Sequence, residues 1–346
     1  MWRSGDNSVM DKKKIIFMGT AEFSASQLET LIKSEEFDIP FVVSQPDKRV
    51  GRKQVLAETE VKKLASAYDI EVFQPRKLRD GVLAQKIKEA SADLILVVAY
   101  GRILPKDVLE AAKLGSINIH ASLLPKYRGA CPIQMSICEG ERETGITYMR
   151  MAEGLDEGNI LRQYTIPIDD KINSAELFKQ MAELSSMHLI DFLNDFFVDK
   201  YEELVQDNNE ATIVKPLVKD EAEINWELTA RKIHNIVRAL HEWPVAFTFL
   251  DNKRVQIISG TNIPATSMDE KMQERFDKMT FGEIFANKTE IFVKCKDSFY
   301  QILEMKVEGS KMRPARELAH NFRAGLKFTY DKTKCGPKVY KYGELN

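Results

Sequence analysis

Cysteine is scarce in this 346-residue chain, with only Cys131, Cys138, Cys295 and Cys335. None forms a Cys-x-x-Cys pair or stands at zinc-ligand spacing from the five histidines. That pattern argues against a disulfide framework or a metal site, and the expectation is reduced thiols in a cytoplasmic protein. Charge of one sign is missing too: 50 Lys and Arg meet 52 Asp and Glu, a net of −2. A histone-like polycation is excluded, whereas a locally basic face is not. The longest apolar run, around Ile95–Ala99, is far short of the ~20 residues that span a bilayer, so no membrane segment is expected. Seventeen glycines and twelve prolines exclude a collagen-like chain. Met1–Asn7 has no apolar stretch of the secretory type, Met10 is a second plausible start, and residues 1–9 read as a disordered extension.

What remains is an ordinary globular composition, 44% hydrophobic and 29% charged, in a length that suits two domains. Short apolar runs at Ile15–Gly19, Phe41–Ser44, Val72–Phe73, Asp93–Tyr100 and Gly115–His120 alternate with helical spacing. One such helical face carries Leu28, Leu31 and Ile32. Alternation of this kind predicts βαβ units in a doubly wound, mostly parallel, Rossmann-like α/β sheet. Gly145–Met151 and Ile160–Ile168 extend it, and Ser174–Tyr201 reads as a long helix. Beyond the polar Asp207–Glu210 cluster the pattern changes. A helix over Thr229–His241 is followed by short strands, and Asp251–Asn252 between two of them signals a hairpin. A second, smaller β-barrel of the oligonucleotide-binding (OB) type is expected there. The expected boundaries are 10–204 for the catalytic domain, 205–218 for a linker, 219–328 for the barrel and 329–346 for a loosely held tail.

Chemistry concentrates at Ser116-Ile-Asn-Ile-His-Ala-Ser-Leu-Leu-Pro125. Asn118 and His120 alternate along a strand and so share a face, at the carboxyl end where such sheets place ligands. An amide and an imidazole are costly in a buried strand unless hydrogen-bonded or used. A lone histidine there would read as a structural one; the pair favours function. Asp156, in the glycine-bracketed Glu153-Gly-Leu-Asp-Glu-Gly158, supplies a carboxylate. Alone it would be a turn residue, but with Asn118 and His120 it completes a set suited to acyl transfer. The turn after the first strand, Gly19-Thr-Ala-Glu-Phe-Ser24, lacks the further glycines of a dinucleotide site, which disfavours a dehydrogenase.

The Asn118-x-His120-x-Ser-Leu-Leu-Pro125 stretch, with Tyr-Arg-Gly129 and Glu-Gly-Leu-Asp156, resembles the signature of the folate-dependent formyltransferase family. Gln45-Pro-Asp-Lys-Arg-Val-Gly-Arg52 resembles the loop with which members acting on methionyl-tRNA engage the initiator tRNA. Ala99-Tyr-Gly-Arg-Ile-Leu-Pro105, Ile224-Asn-Trp226 and Glu242-Trp-Pro244 extend the likeness across both domains. Ala21 departs from it, standing where a proline is usual, and so does the carboxyl-terminal tail. The resemblance implies transfer of a formyl group from 10-formyltetrahydrofolate to the α-amine of initiator methionyl-tRNA, without a metal. It implies catalytic Asn118, His120 and Asp156, and folate contacts from Ser122, Leu123, Leu124 and Pro125. Arg102, Ile103 and Leu104 are expected to line the pterin slot.

Lys48, Arg49, Arg52 and Lys53 crowd one loop and are the expected tRNA contacts. Lys306, Lys311, Arg313, Arg316, Arg323 and Lys327 add charge late in the chain. Any single one reads best as a solvated surface charge; the loop cluster is harder to dismiss. Trp226 and Trp243 read as core packing rather than base-stacking platforms. The rival readings are a sugar-amine formyltransferase, which would not need the basic loop, and an RNA-binding module with a dead formyltransferase fold, which intact Asn118, His120 and Asp156 disfavour. A monomer is expected.

Overall fold

The computed structural model describes residues 12–50, 54–323, 325–333 and 336–344. The expected extension 1–9, Arg52, Lys53 and Cys335 lie outside them. The strands run in chain order β1 (Ile15–Gly19), β2 (Val42–Val43), β3 (Lys48–Val50), β4 (Val55–Ala57), β5 (Val72–Phe73), β6 (Leu94–Val98) and β7 (Ser116–His120). Next come β8 (Arg128–Gly129), β9 (Glu143–Arg150), β10 (Ile160–Pro167), β11 (Thr212–Val214), β12 (Phe247–Leu250) and β13 (Lys253–Asn262). The last are β14 (Ile284–Ala286), β15 (Ile291–Lys294), β16 (Phe299–Val307), β17 (Arg313–Pro314) and β18 (Val339–Lys341).

Every residue of β1 and β6 is buried, as expected of strands covered on both faces. Helices Glu22–Ser34, Glu60–Ala67, Val82–Glu89 and Lys106–Leu109 alternate with the strands. The resulting sheet has the order β10-β9-β7-β6-β1-β2-β5. Pairs β1–β2, β2–β5, β1–β6 and β6–β7 are parallel, and β9 joins β7 antiparallel. The chain walks outward from β1 through β2 to β5, then returns to the other side of β1 as β6 and β7. That reversal opens a crevice at the carboxyl ends of the strands. His120 is the last residue of β7.

Contacts divide the chain into two compact units. One comprises the residues up to Leu124 with Ile146–Tyr164 and Lys179–Gln206. The other comprises Pro125–Gly145, Thr165–Phe178 and the residues from Asp207 onward. In the second unit, helix Ala230–Ala239 is capped by the Thr229 hydroxyl, which accepts from the Lys232 N–H, and it packs on helix Pro132–Glu139. A small sheet of order β18-β11-β8 draws a strand from 205–218 and another from 329–346.

A curled antiparallel half-barrel has the order β12-β13-β16-β15-β14, with β17 on β16. The β12–β13 hairpin closes through Asp251 and Asn252 at φ 48° and 61°. Both angles are positive, as a two-residue turn of type I′ requires. An irregularity between Ile257 and Gly260 bends β13. Trp226 lies in the core of this unit, its Nε1 donating to Thr248 Oγ1 at 3.0 Å and its ring stacked on Phe328. Trp243 differs from expectation. It is 54% exposed, in the bend that follows the helix rather than on its inward face.

Candidate active site

β7 sets the geometry. Ile117 and Ile119 are buried on one face, while Asn118 and His120 share the other. Asn118 is half-buried, and among the described residues no hydrogen bond engages its carboxamide. His120 is 6% exposed and lies opposite Thr147 of β9. Its Nδ1 stands 3.5 Å from Asp156 Oδ2. That separation is longer than a short hydrogen bond. The structure thus brings His120 and Asp156 together from 36 residues apart.

Asp156 reaches this position through an unusual backbone. It adopts φ 47°, in the left-handed region that non-glycine residues seldom enter, though aspartate does so more readily than most. Gly158 serves a different need. A Cβ there would run into the Arg150 carbonyl, so close approach demands glycine.

The loop after His120 is clamped from β9 and β10. Thr147 Oγ1 donates to Ser122 O at 2.6 Å and accepts from the Leu124 N–H at 3.2 Å. Gln163 Nε2 donates at 2.9 Å to both Leu124 O and Thr147 Oγ1. Thr147 and Gln163 carried no motif; a hydroxyl in the otherwise mostly buried, apolar β9 could have signalled Thr147, whereas Gln163 is an exposed residue of β10 and gave no such signal. Replacing Thr147 by valine keeps the volume and removes both hydroxyl roles. We expect Thr147→Val to cost ~1–3 kcal/mol of stability, because buried partners lose their hydrogen bonds. Urea unfolding measures this, and an unchanged midpoint would show that the clamp contributes nothing.

The remaining expected residues are distributed as follows. Ser122 is fully buried, Leu124 packs in a small core with Met149 and Ile160, and Leu123 and Pro125 are half-buried. Leu104 belongs to the main core, whereas Ile103 is 77% exposed. Arg102 is held by its guanidinium, which donates to Pro75 O at 2.9 Å and Arg76 O at 3.2 Å. Arg102 and Ile103 border an open cavity of about 660 Å³ with Arg76, Lys77, Leu78, Arg79 and Asp80. Asn118, His120 and Asp156 do not line that cavity. The chemistry of the side chains, rather than cavity size, marks the candidate site.

Lys48 and Arg49 are exposed on the β3–β4 hairpin, whose strands bracket residues 51–53. Lys48 Nζ donates to Gln45 Oε1 at 2.7 Å. Asp47 accepts from Gln74 Nε2 at 2.7 Å and pairs with Lys62 at 2.6 Å. Those hydrogen bonds, Gln74 first, hold its carboxyl below the usual range. Its charge is thus matched by Lys62, outside the loop. Lys306, Lys311, Arg313, Arg316, Arg323 and Lys327 are all exposed.

Burial pushes the Cys131 and Cys138 thiols up to about 12, as expected of unreactive cysteines. Among the described residues, no group of three or more His, Cys, Asp or Glu could hold a metal ion, and no helix is long and apolar enough to cross a membrane.

Comparison with known proteins adds to this geometry. Residues 13–193 match the family model described as formyl transferase, and residues 216–323 match its C-terminal domain. The chain is 39% identical over 311 residues to the methionyl-tRNA formyltransferase of Caldicellulosiruptor saccharolyticus, covering 89% of this chain and 97% of that one. It is 37% identical to the Staphylococcus aureus enzyme of the same name over 318 residues, covering 91% and 97%. Among solved structures, the sugar 3N-formyl transferase WlaRD superposes with a TM-score of 0.61 at 19% identity, covering 86% of this chain and 99% of that one. HypX from Aquifex aeolicus, in complex with tetrahydrofolic acid, superposes with a TM-score of 0.57 at 18% identity, covering 92% and 50%. At such identities these two likenesses speak to the fold.

Proposed function

The chain belongs to the formyl transferase family and transfers the formyl group of 10-formyltetrahydrofolate to methionyl-tRNA, and from that premise we propose that Asn118, His120 and Asp156 carry the transfer. The observation that supports the assignment is the meeting of His120 Nδ1 and Asp156 Oδ2 at 3.5 Å, with Asn118, whose carboxamide makes no hydrogen bond among the described residues, on the same strand face as His120. When bound, 10-formyltetrahydrofolate supplies the activated formyl carbon. The Asn118 carboxamide donates to the formyl oxygen as negative charge develops there, where a preformed donor is worth most. His120 takes up the proton released by the attacking α-amine at Nε2 and can return it to the departing nitrogen. The Asp156 carboxylate stabilises the imidazolium and orients the ring through Nδ1.

The donor fits the residues present. Leu123 and the exposed Ile103 offer apolar surface for a flat ring, while the clamp from Thr147 and Gln163 holds the Ser122–Leu124 backbone in place. Arg102, held on the Pro75 and Arg76 carbonyls, is assigned to the same pterin slot by this reading. Lys48, Arg49, Arg52 and Lys53 contact the initiator tRNA, and the basic half-barrel of the C-terminal unit tracks its backbone. The segments 10–204 and 219–328 serve catalysis and tRNA binding, and the protein works as a cytoplasmic monomer.

The test is formyl transfer from 10-formyltetrahydrofolate to charged initiator tRNA, with uncharged tRNA, free methionine and a nucleotide-linked amino sugar as alternative acceptors. Transfer to the charged tRNA alone is the expected result. Preference for the amino sugar would overturn the tRNA assignment while leaving the formyl chemistry.

A further inference from the structure

The segment that follows the long helix Ser174–Phe197 fastens the loop between β9 and β10 at several points. Ile160 and Leu204 exchange backbone hydrogen bonds at 2.8 and 2.9 Å. Glu203 accepts from Arg150 Nε at 2.8 Å and from Asn159 Nδ2 at 2.9 Å. Arg150 Nη2 donates to the Tyr201 hydroxyl at 2.7 Å. These contacts secure the two ends of the loop. Gln206, two residues beyond Leu204, reaches its tip, where Asp156 lies. Gln206 Nε2 donates to Asp156 O at 2.8 Å and to Gly158 O at 2.7 Å. The side chain is buried, with Gln206 only 7% exposed.

Two backbone carbonyls that converge on one point repel each other unless a donor stands between them, and buried carbonyls need a partner. A primary amide nitrogen has two hydrogens and can satisfy both. The residue between those bonds and His120 is Asp156 itself, in the left-handed conformation. Without the bridge its backbone can relax toward the commoner right-handed or extended regions. Its carboxylate would then swing away from His120 Nδ1.

We propose that Gln206 is a positioning residue: its amide bridges the Asp156 and Gly158 carbonyls and thereby holds the Asp156 carboxylate against His120. The proposal rests on Asp156 belonging to the site, and it gives the start of the expected linker a part in the chemistry.

The experiment is a double-mutant cycle in the full chain, reading kcat and the donor KM for formylation of charged initiator tRNA. Gln206→Met keeps the length and removes both donors. It is expected to lower kcat by roughly 10- to 100-fold, as misplacing a reacting group does, with donor KM little changed. In the Asp156→Ala background the same substitution should change kcat by less than about 2-fold, because a positioning residue has nothing left to position. Gln206→Lys, which retains N–H donors, should recover part of the loss. If Gln206→Met fails to fold by circular dichroism, Gln206→Asn, whose donors fall one methylene short, carries the same cycle. Equal losses in both backgrounds, or full turnover in a folded Gln206→Met protein, would overturn the role of Gln206. Full turnover in Asp156→Ala would remove both the site assignment and this proposal, and an inactive wild type would count against the acceptor assignment.

Discussion

Replacing His120 by alanine is expected to lower kcat for formylation of methionyl-tRNA by roughly 10²- to 10⁴-fold, the span typical of a lost general acid–base group. Two features concentrate the effect on turnover. The imidazole closes the strand β7 and lies beside the Asp156 carboxylate, so on the proposed mechanism its loss removes the group that takes up the amine's proton. The strand itself is held by β6 on one side and β9 on the other, through backbone hydrogen bonds that alanine preserves. The protein should therefore fold, bind the folate donor and turn over slowly. Circular dichroism, donor titration and single-turnover formylation together test this. A folded His120→Ala protein with wild-type kcat would remove His120 from the mechanism. Asn118→Ala should be comparably damaging, at about 10²- to 10³-fold, if its carboxamide donates to the developing oxyanion.

The second large effect is expected at the acceptor side. Arg52 lies outside the described residues, between two strands whose exposed Lys48 and Arg49 already make the hairpin basic. The one nearby acid of the loop, Asp47, is paired with Lys62. An arginine fork there can take a phosphate or a base edge in two parallel hydrogen bonds. Losing such a contact costs about 1–3 kcal/mol, or roughly 5- to 150-fold in tRNA use. Arg52→Ala should thus weaken formylation of charged tRNA while leaving equilibrium binding of the donor intact. Arg52→Lys keeps the charge but not the fork and should rescue only part. The deficit should also shrink as salt rises, because fewer counterions are released when the contact is gone. Wild-type kinetics for Arg52→Ala, or donor binding that falls as far as tRNA use, would refute a tRNA contact there.

Much of this protein could be read along the chain. β1 and β6 are continuous apolar runs, and a run buried on both faces with helical spacing between repeats leaves few folds open. Asn118 and His120 face one way because a strand has a period of two, a property of the backbone rather than of the fold. Asp251–Asn252 marks its own turn, since both residues tolerate positive φ. Helix Glu270–Lys278 was not legible in the same way. It buries none of its residues, so no apolar stripe announces it, and it is held by its Asp269 cap and by contacts such as Arg275 over the Phe285 ring.

The sequence alone determined the alternation of strands and helices, the shared face of Asn118 and His120, and the composition of the basic loop. Each of these follows from interactions within a few residues, where backbone geometry and side-chain shape act directly. Tertiary structure decided the rest. It set Asp156 beside His120 and brought Thr147 and Gln163 onto the Ser122–Leu124 backbone. It laid Gln206 against the carbonyls of the Asp156 turn and drew β8, β11 and β18 from distant stretches into one sheet. Such pairings join residues from about 20 to about 130 positions apart along the chain, and their register is selected by buried hydrogen bonds that form only once packing has excluded water.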